Sequence, residues 1–183
     1  MINYSQWLPY LAYVFIVMIG IGVLAGQKRT MGQMVTIVTF GVYLAFVGYL
    51  TLTPTSYAFG SVPTMRPFWV GNAPTNPIPF RGIEMDFYLN ILMMVPMGVY
   101  LRLLCKADFR QIIGIGFLIG ISIETTQFIL DSVLQMSRWV DINDIITNAF
   151  GVVIGYVMVL LLQHSPLKRL VRYFSISSLR FTK

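Results

Sequence analysis

A chain of 183 residues that is 56% hydrophobic and only 11% charged is not a soluble domain, which typically carries about a quarter charged residues. Its mean hydropathy is +0.72, and at about 20 apolar residues per span the length suits one domain of several membrane helices. The net charge is +6, yet all seven acids lie between Glu84 and Asp144 while five of the thirteen bases follow residue 166; that segregation is expected of cations flanking membrane helices and excludes nucleic acid as a partner.

The single cysteine, Cys105, rules out an internal disulfide and a thiolate metal cluster, and the single histidine, His164, rules out a His-rich zinc site. The N-terminus has neither a basic region nor a small-residue cleavage site ahead of the first apolar run, which is therefore expected to stay as an anchor.

In chain order, hydropathy predicts spans over Trp7–Ala25, Met34–Leu52, Asp86–Leu104, Phe109–Leu130 and about Asp144–Gln163. Gly22 and Gly26, four residues apart, suggest close helix contact through the first span. Residues 54–85 carry six prolines together with Tyr57, Phe59, Phe68, Trp69 and Phe80. Proline at that density breaks helices, and the aromatic rings suit a membrane–water interface, so a structured cap is expected, with a short interfacial helix near residues 81–86. Pro96 and Gly98 predict a kink in the third span. Beyond Pro166, Leu167, Leu170, Val171 and Phe174 recur at helical spacing among basic residues; this pattern fits an amphipathic segment on an anionic membrane surface or a partly disordered tail.

Lys28 and Arg29, then Arg102, Lys106 and Arg110, then the tail, form alternating basic ends. The positive-inside rule places them in the cytoplasm, with the N-terminus outside and the C-terminus inside. The expected fold class is all-α: a polytopic membrane protein of about five transmembrane helices with an outward-facing polar pocket.

The pocket is expected from residues a membrane span does not need. A carboxylate inside an apolar span costs a few kcal/mol, so Glu124 points to function or to a site-forming ion pair. Glu124 and Gln127 share a helix face, and on one helix Asp141, Asp144 and Asn148 would share another. Asp86 and Asn90 share a face of the third span. With the span ending at Leu130, Glu124 would lie about 9 Å below the outer boundary. The inner halves of these spans show no comparable polar set. Humbler roles stay open: helix capping for Asp141 and Asp144, interhelical hydrogen bonding for Asn90, Gln127 and Asn148, and ion pairing for Arg138.

Taken together, Asn76-Pro77-Ile78-Pro79-Phe80, Asp86 with Asn90, Pro96 with Gly98, Glu124 with Gln127, and the series Arg138, Asp141, Asp144, Asn148, Gly151 resemble the VanZ-like family of bacterial membrane proteins. The motifs cover residues 76–155, within a single VanZ-like transmembrane domain of residues 1–165 followed by a basic cytoplasmic tail, 166–183. The first two spans match only in hydropathy. Val95 stands where the family often has an aromatic, and some relatives carry a further C-terminal span. The family takes its name from a protein associated with teicoplanin resistance, so the resemblance implies a role in the bacterial cell envelope and glycopeptide susceptibility without assigning a reaction.

Three readings of function follow. The first is a protein that binds an envelope component, a lipid-linked cell-wall intermediate or the lipoglycopeptide itself, with ligand-binding residues Arg81, Asp86, Asn90, Glu124, Gln127, Arg138, Asp141, Asp144 and Asn148; here Arg81 and Arg138 would meet phosphate. The second is a membrane enzyme acting on a lipid-linked precursor, with Glu124, Asp141 and Asp144 as acid and base, or with a hard divalent cation such as Mg²⁺, Mn²⁺ or Ca²⁺ among their oxygens. The third is a lipid flippase or transporter, disfavoured by the lack of an inverted repeat. No cofactor is identified beyond these options, membrane lipids are the expected surroundings, and the sequence leaves the oligomeric state undetermined.

Overall fold

The computed structural model describes residues 4–54, 65–136 and 138–176. Five helices are long and apolar enough to cross a membrane, so the chain is a multi-pass helical membrane protein. They are α1 (Leu8–Ala25, continuing a 3-10 turn at Tyr4–Trp7), α2 (Met31–Leu52), α3 (Met85–Leu104), α4 (Phe109–Leu134) and α5 (Ile142–Gln163); a short α6 (Lys168–Phe174) follows. The sequence expectation placed the spans correctly but ended α4 four residues early, at Leu130.

The end of α4 was hidden by its polar residues, which the helix itself accommodates. Ser132 Oγ donates to the Phe128 carbonyl at 2.7 Å, Asp131 is buried, and Gln6 Nε2 donates to the Leu134 carbonyl at 3.0 Å. The starts of α2 and α4 are each closed by a capping box, Thr30 with Gln33 and Asp108 with Gln111.

Helix α5 is the centre of the bundle, and glycines bring it against both neighbours. α3 and α5 run parallel: Gly151 of α5 lies against the Ile91 carbonyl, Gly155 against the Val95 carbonyl, and Gly98 of α3 against the Val152 carbonyl, each leaving no room for a Cβ. α4 runs antiparallel to α5, with Gly120 beside Ile145 and Gly116 beside Ala149. Continuing that ladder by one turn in each direction sets Glu124 opposite Asp141. Helix α1 packs chiefly on α2, and there the glycines that matter are on α2, where Gly41 meets Ile21 and Gly48 meets the Tyr13 ring. Gly22 has open space beside it and Gly26 only its own helix, so the Gly22/Gly26 spacing does not bring another helix close.

The cap differs from the expectation. No separate interfacial helix precedes α3: residues 79–82 are turn and bend, with Phe80 (φ 59) and Gly82 (φ 66) in the left-handed region, and Met85 and Asp86 already open α3. A small sheet stands instead, in the order β1 (Phe68–Val70), β2 (Ala73–Asn76), β3 (Val140–Asp141). β1 and β2 are antiparallel, whereas β2 and β3 are parallel, with Asn76 paired to Asp141. Tyr57, Phe59 and Pro63 of the expected cap lie outside the described residues.

The segment after α5 folds back onto the bundle. Thr36 Oγ1 donates to the Phe174 carbonyl at 2.7 Å, Gln33 Nε2 to the Ser175 carbonyl at 3.1 Å, and the Ile176 amide to the Leu103 carbonyl at 2.9 Å. Up to residue 176 the tail is thus docked across α2 and the end of α3; the residues beyond lie outside the described part.

Candidate functional site

The chain connections put the α2 end, the α3 start, the α4 end and the α5 start together, with the sheet beside them. Six of the seven acids lie at this end; the seventh, Asp108, caps α4 at the opposite, basic end.

Asp141 is the hub. It is the N-cap of α5, its Oδ1 accepting from the Asn143 amide at 2.7 Å. Asn76 Nδ2 donates to both carboxylate oxygens, at 3.1 and 3.0 Å. The Asp141 backbone amide donates to Glu124 Oε2 at 2.9 Å. Burial raises the Asp141 pKa, an effect opposed by the hydrogen bonds from Asn76 and Asn143. Capping and clustering are therefore one arrangement here: the cap residue's backbone is what holds Glu124.

Glu124 is buried at 3% exposure, ten residues before the end of α4, or about 15 Å along the axis at 1.5 Å per residue. It is thus farther from the helix end than the expected 9 Å, because α4 is longer. Asp141, Asp144 and Arg138 lie within electrostatic reach of its carboxylate. Asp144, one turn into α5, faces the Asn90 side chain of α3, with Asp86 nearby at the exposed start of that helix. One further turn along α5, Asn148 is 1% exposed and its Oδ1 is buried without a hydrogen-bond partner.

Both arginines are committed elsewhere than to a phosphate. Arg138 Nη2 donates to the Thr53 and Leu50 carbonyls at 2.6 and 2.8 Å, and Nε to Thr53 at 3.1 Å. Gln127 Nε2 donates to the Thr51 carbonyl at 3.1 Å. The orphan carbonyls at the C-terminus of α2 are thereby satisfied by a cation and an amide from other elements, with the charge favourably placed on the helix dipole. Burial lowers the Arg138 pKa to about 10, against the pull of Glu124, Asp144 and Asp131, so the guanidinium stays charged at neutral pH. Arg81 turns its guanidinium to the Arg66 carbonyl at 3.2 Å and over the Phe68 ring at 5.0 Å.

The structure thus brings Glu124, Asp141, Asp144 and Asn90 into one network, with Asp86 at its edge and Asn148 a turn deeper. Gln127 and Arg138 join α2 to it. Arg81 takes part through its carbonyl, which accepts from Asn76 Nδ2 at 3.2 Å and Asn143 Nδ2 at 3.0 Å. Among the described residues no three His, Cys, Asp or Glu side chains gather to hold a metal ion, so the divalent-cation alternative finds no such ligand set.

Two contributors, Asn143 and Asp131, were missed from sequence, and a third, Asn76, was read as part of the Asn-Pro-Ile-Pro-Phe motif but not as a site residue. Asn76, 1% exposed, opens the Asn-Pro-Ile turn, and its Oδ1 accepts from the Ile78 amide at 3.3 Å; an Asn before Pro signals such a turn. Asn143 accepts from the Phe80 amide at 2.6 Å and so holds the left-handed turn in place. Asp131 accepts from the Arg138 amide at 3.1 Å. Its only sequence signal was an acid seven residues before the arginine.

At the opposite end one polar pair joins two helices: Arg102 Nη2 donates to Gln163 Oε1 at 2.7 Å and its guanidinium lies 5.2 Å from the Tyr156 ring centroid.

These features define a class first: a five-helix membrane protein that gathers carboxylates and amides from one strand-edge and three helices at one end of its bundle. The chain belongs to the VanZ/LLP1 family, whose model matches residues 40–163. The match extends past the 76–155 motif core to take in the end of α2 that Arg138 and Gln127 grip. No curated protein and no solved structure matches the chain.

Proposed function

We propose that this protein acts in the bacterial cell envelope and lowers susceptibility to glycopeptides such as teicoplanin, by engaging an envelope component through its acidic end. In this reading the acidic end faces the outer leaflet and the basic end the cytoplasm, as the positive-inside rule directs. The family's name supplies the link to teicoplanin.

The observation that carries the proposal is the network at Asp141 and Glu124. β2, α3, α4 and α5 each contribute a polar side chain to it, and charge at membrane depth is retained where it does work. The chemistry favours a ligand rich in N–H and O–H donors. The two guanidinia are spent on carbonyls and a ring, whereas Asp144 and the unpartnered Asn148 Oδ1 are acceptors. Amines and sugar hydroxyls, which lipoglycopeptides and lipid-linked cell-wall intermediates both carry, fit that balance better than phosphate does.

The test is teicoplanin susceptibility of a sensitive bacterium expressing wild type, Glu124→Gln or Asp144→Asn at matched membrane levels. Protection by wild type that both variants lose is the expected result. Equal protection by all three would reduce the cluster to structural glue.

A further inference from the structure

At the basic end, Arg102 of α3 and Gln163 of α5 meet in a pairing that leaves two donors idle. Arg102 Nη2 donates to Gln163 Oε1 at 2.7 Å, and Nη1 reaches the Tyr156 hydroxyl at 3.4 Å, which itself donates to the Ala107 carbonyl at 3.1 Å. Arg102 Nε and Gln163 Nε2 are both buried and have no acceptor. Gln163 is 7% exposed. Turning its amide over would set NH₂ against the guanidinium, so the idle donor is built into the pairing and is not relieved by rotation. Most buried polar groups find a partner, and two donors without one on a pair of hydrogen-bonded side chains point to an absent acceptor.

The charge of this end says what kind of acceptor. Lys28, Arg29, Lys106, Arg110, Lys168, Arg169 and Arg172 flank it, and its one described acid, Asp108, is occupied capping α4. Arg102 forms no ion pair among the described residues. A low-dielectric seam between two membrane helices, at the end of the bundle that carries these cations, sets a positive potential around the half-buried Arg102.

We propose that Arg102 and Gln163 form a binding site for a phosphate-bearing anion, with Nε and Nε2 donating to its oxygens; the leaflet around this end offers such a group as the headgroup of an anionic phospholipid, and soluble phosphate offers the same chemistry. Both donors are closed to water in this conformation, so the Arg102 side chain swings to admit the anion. The site is separate from the acidic end and does not rest on the function proposed for it.

The experiment is thermal unfolding of the purified full chain in neutral detergent, titrated with short-chain phosphatidylglycerol, short-chain phosphatidylcholine or inorganic phosphate. Four proteins are compared: wild type, Arg102→Gln, Gln163→Glu, and the double variant Lys168→Gln with Arg169→Gln. Wild type is expected to be stabilised saturably by phosphatidylglycerol, with the midpoint weakened about tenfold or more in Arg102→Gln and Gln163→Glu and little changed in the double variant. Gln163→Glu places a carboxylate against Arg102, so it keeps the helices paired while blocking the anion, and it carries the test where Arg102→Gln fails to fold. Stabilisation by phosphatidylglycerol alone assigns a lipid headgroup; stabilisation by inorganic phosphate as well assigns a soluble source, and either upholds the site. Indifference of wild type to all three, an equal response to phosphatidylcholine, or an undiminished response in both Arg102→Gln and Gln163→Glu would overturn it.

Discussion

Asp141 accepts from Asn76 and Asn143 while its amide holds Glu124, so one residue caps a helix and docks a strand through its side chain and sets the position of a buried acid through its backbone. Removing it strands the Asn76 donor as well as the cap. Asp141→Ala is therefore expected to cost about 2–4 kcal/mol, combining a lost N-cap with an unsatisfied buried donor, read from unfolding in detergent micelles. The pH dependence has a definite sign. Burial raises the folded pKa above the ordinary carboxyl value, so the stability tied to this carboxyl is fully present below the unfolded value and is lost as pH rises through the folded one. Asp141→Asn has no such titration, and the Tm difference, wild type minus Asp141→Asn, should grow as pH falls from about 7 toward about 4. A pH-independent difference would mean that the carboxylate keeps its ordinary affinity for protons. At this scale the sequence was informative about which residues are costly and silent about what they touch. Glu124, Asp141 and Asp144 stand out because acids are rare in such a chain. Asn76 and Asn143 resemble ordinary loop amides until β2 and β3 pair across 65 residues of chain.

The helices assemble through glycines whose sequence spacing is the same whether or not they are used. Gly22/Gly26 and Gly151/Gly155 carry the same signal, yet the first faces open space and the second faces the backbone of α3. Gly98→Ala and Gly155→Ala should each push α3 off α5, since the new methyl meets a carbonyl oxygen and not a flexible side chain. Both are expected to unfold or aggregate on size-exclusion chromatography in detergent. Gly22→Ala and Gly114→Ala, with nothing within 4 Å of the new methyl, should run like wild type and gain up to about 1 kcal/mol from helix propensity. The attachment of α2 is a second element-scale test. Arg138 spans two carbonyls with its planar fork, and the ammonium of Arg138→Lys cannot reproduce that geometry. Faster hydrogen exchange in the last turn of α2, with α3–α5 unchanged, is the expected result; uniform exchange across the bundle would show that the clamp is not local. Hydropathy made the five spans legible because a lipid-facing helix must be apolar over its length. The sheet was illegible for a physical reason: β3 has two residues and β2 four, too few for alternation to appear, and its pairing is set by Asn76 and Asp141 rather than by a pattern.

Across the whole molecule, charge is sorted along the axis of the bundle. Glu84, Asp86, Glu124, Asp131, Asp141 and Asp144 collect at one end, while Lys28, Arg29, Arg102, Lys106 and Arg110 collect at the other with the docked α6. Near-membrane lysines and arginines resist translocation far more than acids assist it, so the basic end is expected in the cytoplasm and the carboxylate network toward the outer leaflet. The chain carries its own reporter of this orientation. Cys105 is its one cysteine, and it is exposed at the C-cap of α3, on the basic end. A membrane-impermeant maleimide added to intact cells should leave it unlabelled, and labelling should appear once the membrane is permeabilised. The converse probe is Cys105→Ser combined with Val70→Cys, on the exposed β1 strand beside the carboxylate network; that protein should label in intact cells. Labelling of Cys105 in intact cells together with protection of position 70 would invert the molecule. The acidic end would then face the cytoplasm, out of reach of an extracellular lipoglycopeptide, and the ligand would have to be sought among envelope precursors on the cytoplasmic side.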